Sequence, residues 1–80
     1  MSYMFEVLYK SPSDPRREAA ISERISQLGG RFTYREEPDV VGVGAVCLTF
    51  EFSDLQLAQQ AAACLRSQGE HVEGPVDYGD

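Results

Sequence analysis

Residues 3–9, YMFEVLY, place apolar or aromatic side chains at every odd position: Tyr3, Phe5, Val7 and Tyr9. The even positions, Met4, Glu6, Leu8 and Lys10, are mixed. That period of two predicts a strand with its odd face in a core. SPSDP, residues 11–15, is turn chemistry. Asp14 followed by Pro15 marks a helix start: a capping carboxylate, then a proline where a missing N–H costs nothing. Arg17, Ile21, Ile25 and Leu28 recur at helical spacing, so the helix is expected to run to about Leu28. Gly29 and Gly30 end it, since glycine accepts left-handed C-cap geometry.

RFTYRE, residues 31–36, alternates again, with Phe32 and Tyr34 on one face and Arg31, Thr33 and Arg35 on the other. Residues 36–44, EEPDVVGVG, read as a loop whose valines are unusual for a solvated segment. AVCLTFEF, residues 45–52, is the clearest strand: Val46, Leu48, Phe50 and Phe52 against Ala45, Cys47, Thr49 and Glu51. Ser53 or Asp54 caps a second helix. Leu57, Ala58, Ala61, Ala62 and Leu65 fall on one arc of it, with Leu55 and Cys64 at the margins, and Gly69 ends it. A short last strand, EHVE at 70–73, points Val72 inward, with His71 and Glu73 outward. Gly74-Pro75 follows, and the tail from about 75 to 80 is expected to fray.

The order strand–helix–strand–strand–helix–strand makes two right-handed crossovers joined by a hairpin. This is a ferredoxin-like α+β sandwich filling residues 1–80 as one domain. Four antiparallel strands in the spatial order fourth–first–third–second carry both helices on one face. The expected core is Phe5, Val7, Tyr9, Ile21, Ile25, Leu28, Phe32, Tyr34, Val46, Leu48, Phe50, Leu57, Ala58, Ala61, Leu65 and Val72. Tyr34 is placed opposite Val46, Arg31 near Thr49, Thr33 near Cys47 and Arg35 near Ala45. The uncovered face then shows Glu6, Leu8, Arg31, Thr33, Arg35, Cys47, Thr49, Glu51, His71 and Glu73.

The 80 residues are 42% hydrophobic and 25% charged, which is globular usage. Thirteen acids against seven bases give a net charge of −6. The charge is uneven: residues 36–80 hold nine of those acids with Arg66 as their lone base. Such a surface repels polyanions, so nucleic acid is excluded as a partner. No apolar stretch reaches the ~20 residues needed to span a bilayer, and the N-terminus lacks the basic segment of a secretory signal. The expected location is cytoplasmic, with no membrane partner.

Cys47 and Cys64 are too few and too distant for a disulfide framework or zinc site, and no metal or cofactor is expected. They fall on opposite sides of the sheet, so both thiols should stay unpaired. Cys47 with His71 is the one pair able to imitate a Cys–His nucleophile, but the first strand lies between their strands. That places them roughly 10 Å apart at ~4.8 Å per strand, beyond hydrogen-bond reach. Glu6 and Glu73 are expected as cross-strand neighbours on a face that offers no pocket. Gly42-Val43-Gly44 lacks the lysine and helix of a phosphate loop. Catalytic residues are therefore none.

The Asp14-Pro15 turn, the helix ending in QLGG and the stretch TFEFSDLQLAQQAAACLRSQGEHVEG together resemble the small-molecule-binding regulatory module called the ACT domain, over nearly the whole chain. The resemblance implies a side-by-side homodimer that binds an amino acid or similar small-molecule ligand at the first strand–helix turn, here Ser13, Asp14, Pro15 and Arg16. Arg16 stands where that family commonly has glycine. The dimer it implies would pair second strands through Arg31, Thr33, Arg35 and Glu36.

The reading is thus a small non-catalytic binding or regulatory module. Two alternatives come from other classes: a small enzyme with its site between the stacked open faces of a dimer, and an acidic protein-interaction adaptor.

Overall fold

The structure, a computed structural model, describes residues 1–40 and 42–78. The order is β1 (Tyr3–Lys10), α1 (Pro15–Gln27), β2 (Arg31–Glu36), β3 (Ala45–Phe52), α2 (Leu55–Ser67) and β4 (His71–Asp77). The strands form one antiparallel sheet in the order β2-β3-β1-β4, as expected for a ferredoxin-like α+β fold.

Both helices start on aspartate. The Asp14 carboxylate accepts the Arg17 N–H, and the Asp54 carboxylate accepts those of Gln56 and Leu57. These caps satisfy donors that the first turn leaves without partners. Ile21 and Ile25 of α1 and Ala58, Ala61, Ala62 and Leu65 of α2 are buried. They pack on Phe5, Val7, Tyr9, Val46, Leu48, Phe50, Phe52 and Val72. Three alanines let α2 approach the sheet closely. The rings of Phe5, Phe50 and Phe52 form the aromatic centre, with centroids 5.5–6.0 Å apart. Gly30 lies flat on Phe52: a Cβ there would stand 2.4 Å from the ring.

β1 and β3 pair without interruption from Tyr3 opposite Phe52 to Lys10 opposite Ala45. Both outer ladders are irregular. In β2, Phe32 faces Phe50 and Tyr34 faces Thr49, so Thr33 is an extra residue. One inserted residue exchanges the two faces of everything beyond it. In β4, Glu73 faces Glu6 and Val76 faces Met4, so Gly74-Pro75 together oppose Phe5. Gly74 has φ +109°, and a Cβ there would meet the Met4 carbonyl oxygen at 3.0 Å. Arg66 donates to the Val72 and Gly74 carbonyls at 2.9 Å each, which holds this bulge from α2.

Several expectations need correction. Tyr34 is not in the core: the bulge turns it to the uncovered face, where it is 60% exposed. Phe32 keeps the helix-side orientation and meets Phe50 edge-on, but β2 is a sheet edge and leaves it 46% exposed. Leu57 is exposed and Leu28 half-buried, while Phe52 and Ala62 are fully buried. Arg31 pairs with Glu51, not Thr49, and Arg35 with Leu48, not Ala45. Arg35 therefore points toward the helices. β4 does not stop at Glu73 but continues through Pro75, Val76 and Asp77, and the Tyr78 N–H donates to the Ser2 carbonyl. The expected fraying of Gly79 and Asp80, and the loop position Val41, lie outside the described residues.

Phe50→Ala should cost about 3–5 kcal/mol, as an aromatic truncation in a sealed core does. Thr49→Ala, on the other face, should cost under about 1 kcal/mol. Gly30→Ala should cost roughly 1–3 kcal/mol by overpacking the Phe52 ring. Urea melts of the three variants check the order.

Candidate functional site

The turn between β1 and α1 is built inward. The Ser11 N–H donates to the Gly44 carbonyl at 3.1 Å, and Ser11 is buried. The Tyr9 hydroxyl accepts the Asp14 N–H at 2.8 Å and donates to the Glu18 carboxylate one turn into α1. Arg35, redirected by the Thr33 bulge, grips that carboxylate with two bonds. Its Nε donates to Oε1 at 2.7 Å and its Nη2 to Oε2 at 3.0 Å. Its Nη1 reaches Glu37 at 2.9 Å. Arg17 lies 4.9 Å above the Tyr9 ring and donates to Glu70 at 2.8 Å. The ends of β1 and β2, the start of α1 and the approach to β4 are thereby tied together.

Electrostatics follow the geometry. The Arg35 guanidinium holds the Glu18 carboxyl below the usual glutamate range, against the opposing effect of burial. Burial, and then the Glu18 carboxylate, push the Tyr9 phenol up.

At the turn expected to take a ligand, Asp14 spends both its carboxylate and its amide on the protein itself. Ser13, Pro15 and Arg16 are exposed beside it. On the expected dimer edge, Arg31 Nε donates to Glu51 at 2.8 Å and the Thr33 hydroxyl donates to the Thr49 carbonyl at 3.2 Å. Glu36 is exposed, opposite Cys47. Both edge arginines are thus neutralised within one chain.

The face without helices is ordered in transverse rows, because paired residues share a face. Across β2, β3, β1 and β4 they are Arg31–Glu51–Met4–Val76, Tyr34–Thr49–Glu6–Glu73 and Glu36–Cys47–Leu8–His71. Leu8 stands between Cys47 and His71, so the two do not form a nucleophilic pair. Burial and the neighbouring Glu6 carboxylate push the Cys47 thiol up to about 11, which makes it a weak nucleophile at neutral pH. Cys47 and Cys64 are both free. Among the described residues no group of three or more His, Cys, Asp or Glu stands close enough to hold a metal ion. No described helix is long and apolar enough to cross a membrane.

At the opposite end of the sheet from the β1–α1 turn, a cleft of about 340 Å³ lies between Met1-Ser2, Gly29-Gly30-Arg31 and Glu51-Phe52-Ser53. The Arg31–Glu51 pair lines it, and the Ser2 hydroxyl also donates to Glu51.

Sequence reading missed the Tyr9–Glu18–Arg35 cluster and the outward Tyr34. Both depend on the bulge, and strict alternation in RFTYRE gives no sign of it. Glu18, in the first turn of α1, offers only the local signal of an acid placed favourably to the helix dipole.

No family model and no curated protein matches this sequence. Among solved structures it is similar to an amidase of the hydantoinase/carbamoylase family from Burkholderia multivorans, with a TM-score of 0.55 and 14% identity. The similarity covers 95% of this chain and 27% of the amidase, so the chain spans about a quarter of that protein's length. It shows a shared fold.

Glu18 has a depressed pKa in the folded state, so its contribution to stability is complete above the ordinary glutamate value of ~4.3 and is lost as pH falls through the folded value. The urea midpoint of the wild-type protein should therefore fall across that window. Glu18→Gln should be less stable at neutral pH and flatter across the same window. Equal pH slopes would remove Glu18 from this role.

Proposed function

We propose that this chain is a non-catalytic binding module that works as a homodimer paired through β2, in the manner of the ACT domains it resembles. The observation that carries the reading is the state of the two sheet edges. β4 is blunted by Gly74-Pro75, since proline offers no donor and glycine bends the strand there. β2 has no proline, and its arginines, which would otherwise repel a second copy, are held by Glu51, Glu18 and Glu37 of their own chain. A twofold β2–β2 contact is self-complementary and joins two four-stranded sheets into one. The high pKa of Cys47 and its separation from His71 support a binding role over a catalytic one.

For the ligand, the reading uses the exposed part of the first turn. Ser13 and Arg16 remain for the carboxylate of a small molecule such as an amino acid, because Asp14 is spent on the protein. Two unpaired cysteines fit a reducing compartment, which supports a cytoplasmic location.

Sedimentation equilibrium at micromolar concentration should give a dimer. Thr33→Pro should give a folded monomer, because a bulge tolerates proline better than the regular ladder does. A monomer at every concentration would remove the dimer, and a dimer that survives Thr33→Pro would exclude this edge.

A thermal-shift panel of amino acids at about 100 times Kd should raise Tm by roughly 10–20 °C for the right ligand. Arg16→Gln should abolish that rise. No shift from any amino acid would remove the ligand half of the reading.

A further inference from the structure

The uncovered face of the sheet combines three properties. Its two inner strands carry half-buried apolar side chains, Met4 and Leu8 on β1 and Cys47 on β3, although no helix covers them, and Glu6 and Thr49 occupy the row between Met4 and Leu8. Its two flanks expose large apolar groups, Tyr34 on β2 and Val76 on β4. Its charge is mainly negative. Arg31 answers Glu51 and the His71 ring lies 3.1 Å from the Glu73 carboxylate, but Glu6, Glu36 and Glu73 have no lysine or arginine opposite them in their rows. Glu6 and Glu73 are direct cross-strand neighbours. Like charges so placed destabilise a sheet. A cation brought against them relieves that repulsion.

These properties select the occupant. A second copy presenting the same face would set its glutamates against these, which favours separation. Nucleic acid and anionic membranes are repelled for the same reason. A cationic partner with an apolar stripe satisfies both features at once. Rows on one face of a strand repeat every ~6.7 Å, close to the 5.4 Å pitch of a helix. Four strands ~4.8 Å apart span about 14 Å, enough for one helix ~10 Å across. We infer that this face docks a basic amphipathic helix of a partner protein, with apolar side chains on Met4, Leu8 and Cys47 and with lysines or arginines from the margins of its stripe on Glu6, between Met4 and Leu8, and on Glu73 and Glu36. The helix supplies the missing second layer of the sheet. The inference rests on the open face and not on β2–β2 pairing, which leaves this face free.

The test uses the full chain, labelled with ¹⁵N, and an 18-residue leucine–lysine peptide with leucines at i, i+3, i+4 and i+7. The amides of Met4, Leu8, Cys47, Tyr34 and Val76 should shift saturably at about 50 mM salt, where a Debye length of roughly 14 Å keeps surface charge effective. Glu6→Gln with Glu73→Gln should weaken binding about tenfold, and Tyr34→Ala several-fold. The same peptide with glutamate in place of lysine should not bind. The Thr33→Pro protein should bind equally well, so failure of the dimer and failure of this inference are distinguishable. Thermal melts confirm that each variant is folded. The inference is overturned by any of four results: no saturable shift up to about 1 mM peptide, shifts confined to α1 and α2, equal binding by the double glutamine variant, or binding of phosphatidylserine vesicles at this face in place of the peptide.

Discussion

Both helices of this protein lie on one side of its sheet, and the remaining features follow from that asymmetry. Each strand must send one set of alternate residues into a core and leave the other set in water. On β1 and β3 the division is nearly complete: Phe5, Val7, Tyr9, Val46, Leu48, Phe50 and Phe52 are buried, while Glu6, Thr49 and Glu51 take the other side. Burying large side chains at ~25 cal/mol per Å² is the main favourable term available to so small a fold. The central strands therefore tolerate no slip in register. Irregularity is displaced to the two edges, at Thr33 in β2 and at Gly74-Pro75 in β4.

The two bulges differ in what they achieve. At β4 the extra residues are held from α2 by Arg66, and the edge loses a donor at Pro75. At β2 the extra residue reverses the strand's faces midway. Arg35 turns to the helix side and meets Glu18, which also receives the Tyr9 hydroxyl. Tyr34 turns the other way, onto the open face. One inserted residue thus builds the polar cluster that ties β2 to α1 and also places an aromatic ring on the surface available to a partner. The cluster is mostly shielded from water, so its bonds to charged groups count for more than exposed ion pairs do.

The similarity to a segment of an amidase fits this picture of a fold that serves many proteins. Function must then be argued from surfaces. Here they are an edge whose charges are neutralised internally, a turn that leaves Ser13 and Arg16 outward, and an acidic face that also carries Met4, Leu8, Tyr34 and Val76.

Sequence alone determined the element order, the Asp14 cap, the glycine helix ends and the sheet order, because each rests on local spacing or on crossover handedness; it left the second cap open between Ser53 and Asp54, and the structure places it at Asp54. It also placed β1 between Cys47 and His71 and made Glu6 a neighbour of Glu73, since both follow from the unbroken β1–β3 pairing and the β1–β4 order. Tertiary structure alone decided the direction of Arg35 and Tyr34. RFTYRE alternates perfectly, and its alternation predicts both on the wrong faces. A bulge has no local signature here: Thr33 becomes the extra residue because Phe32 seats on Phe50 while Arg35 reaches Glu18, two contacts that no unbroken strand of this sequence makes together. The exposure of Phe32 and Leu57 is likewise a matter of position, one on a sheet edge and one at the margin of α2. Hydrophobicity says which residues favour burial, and only the packed layers determine how many of them it reaches.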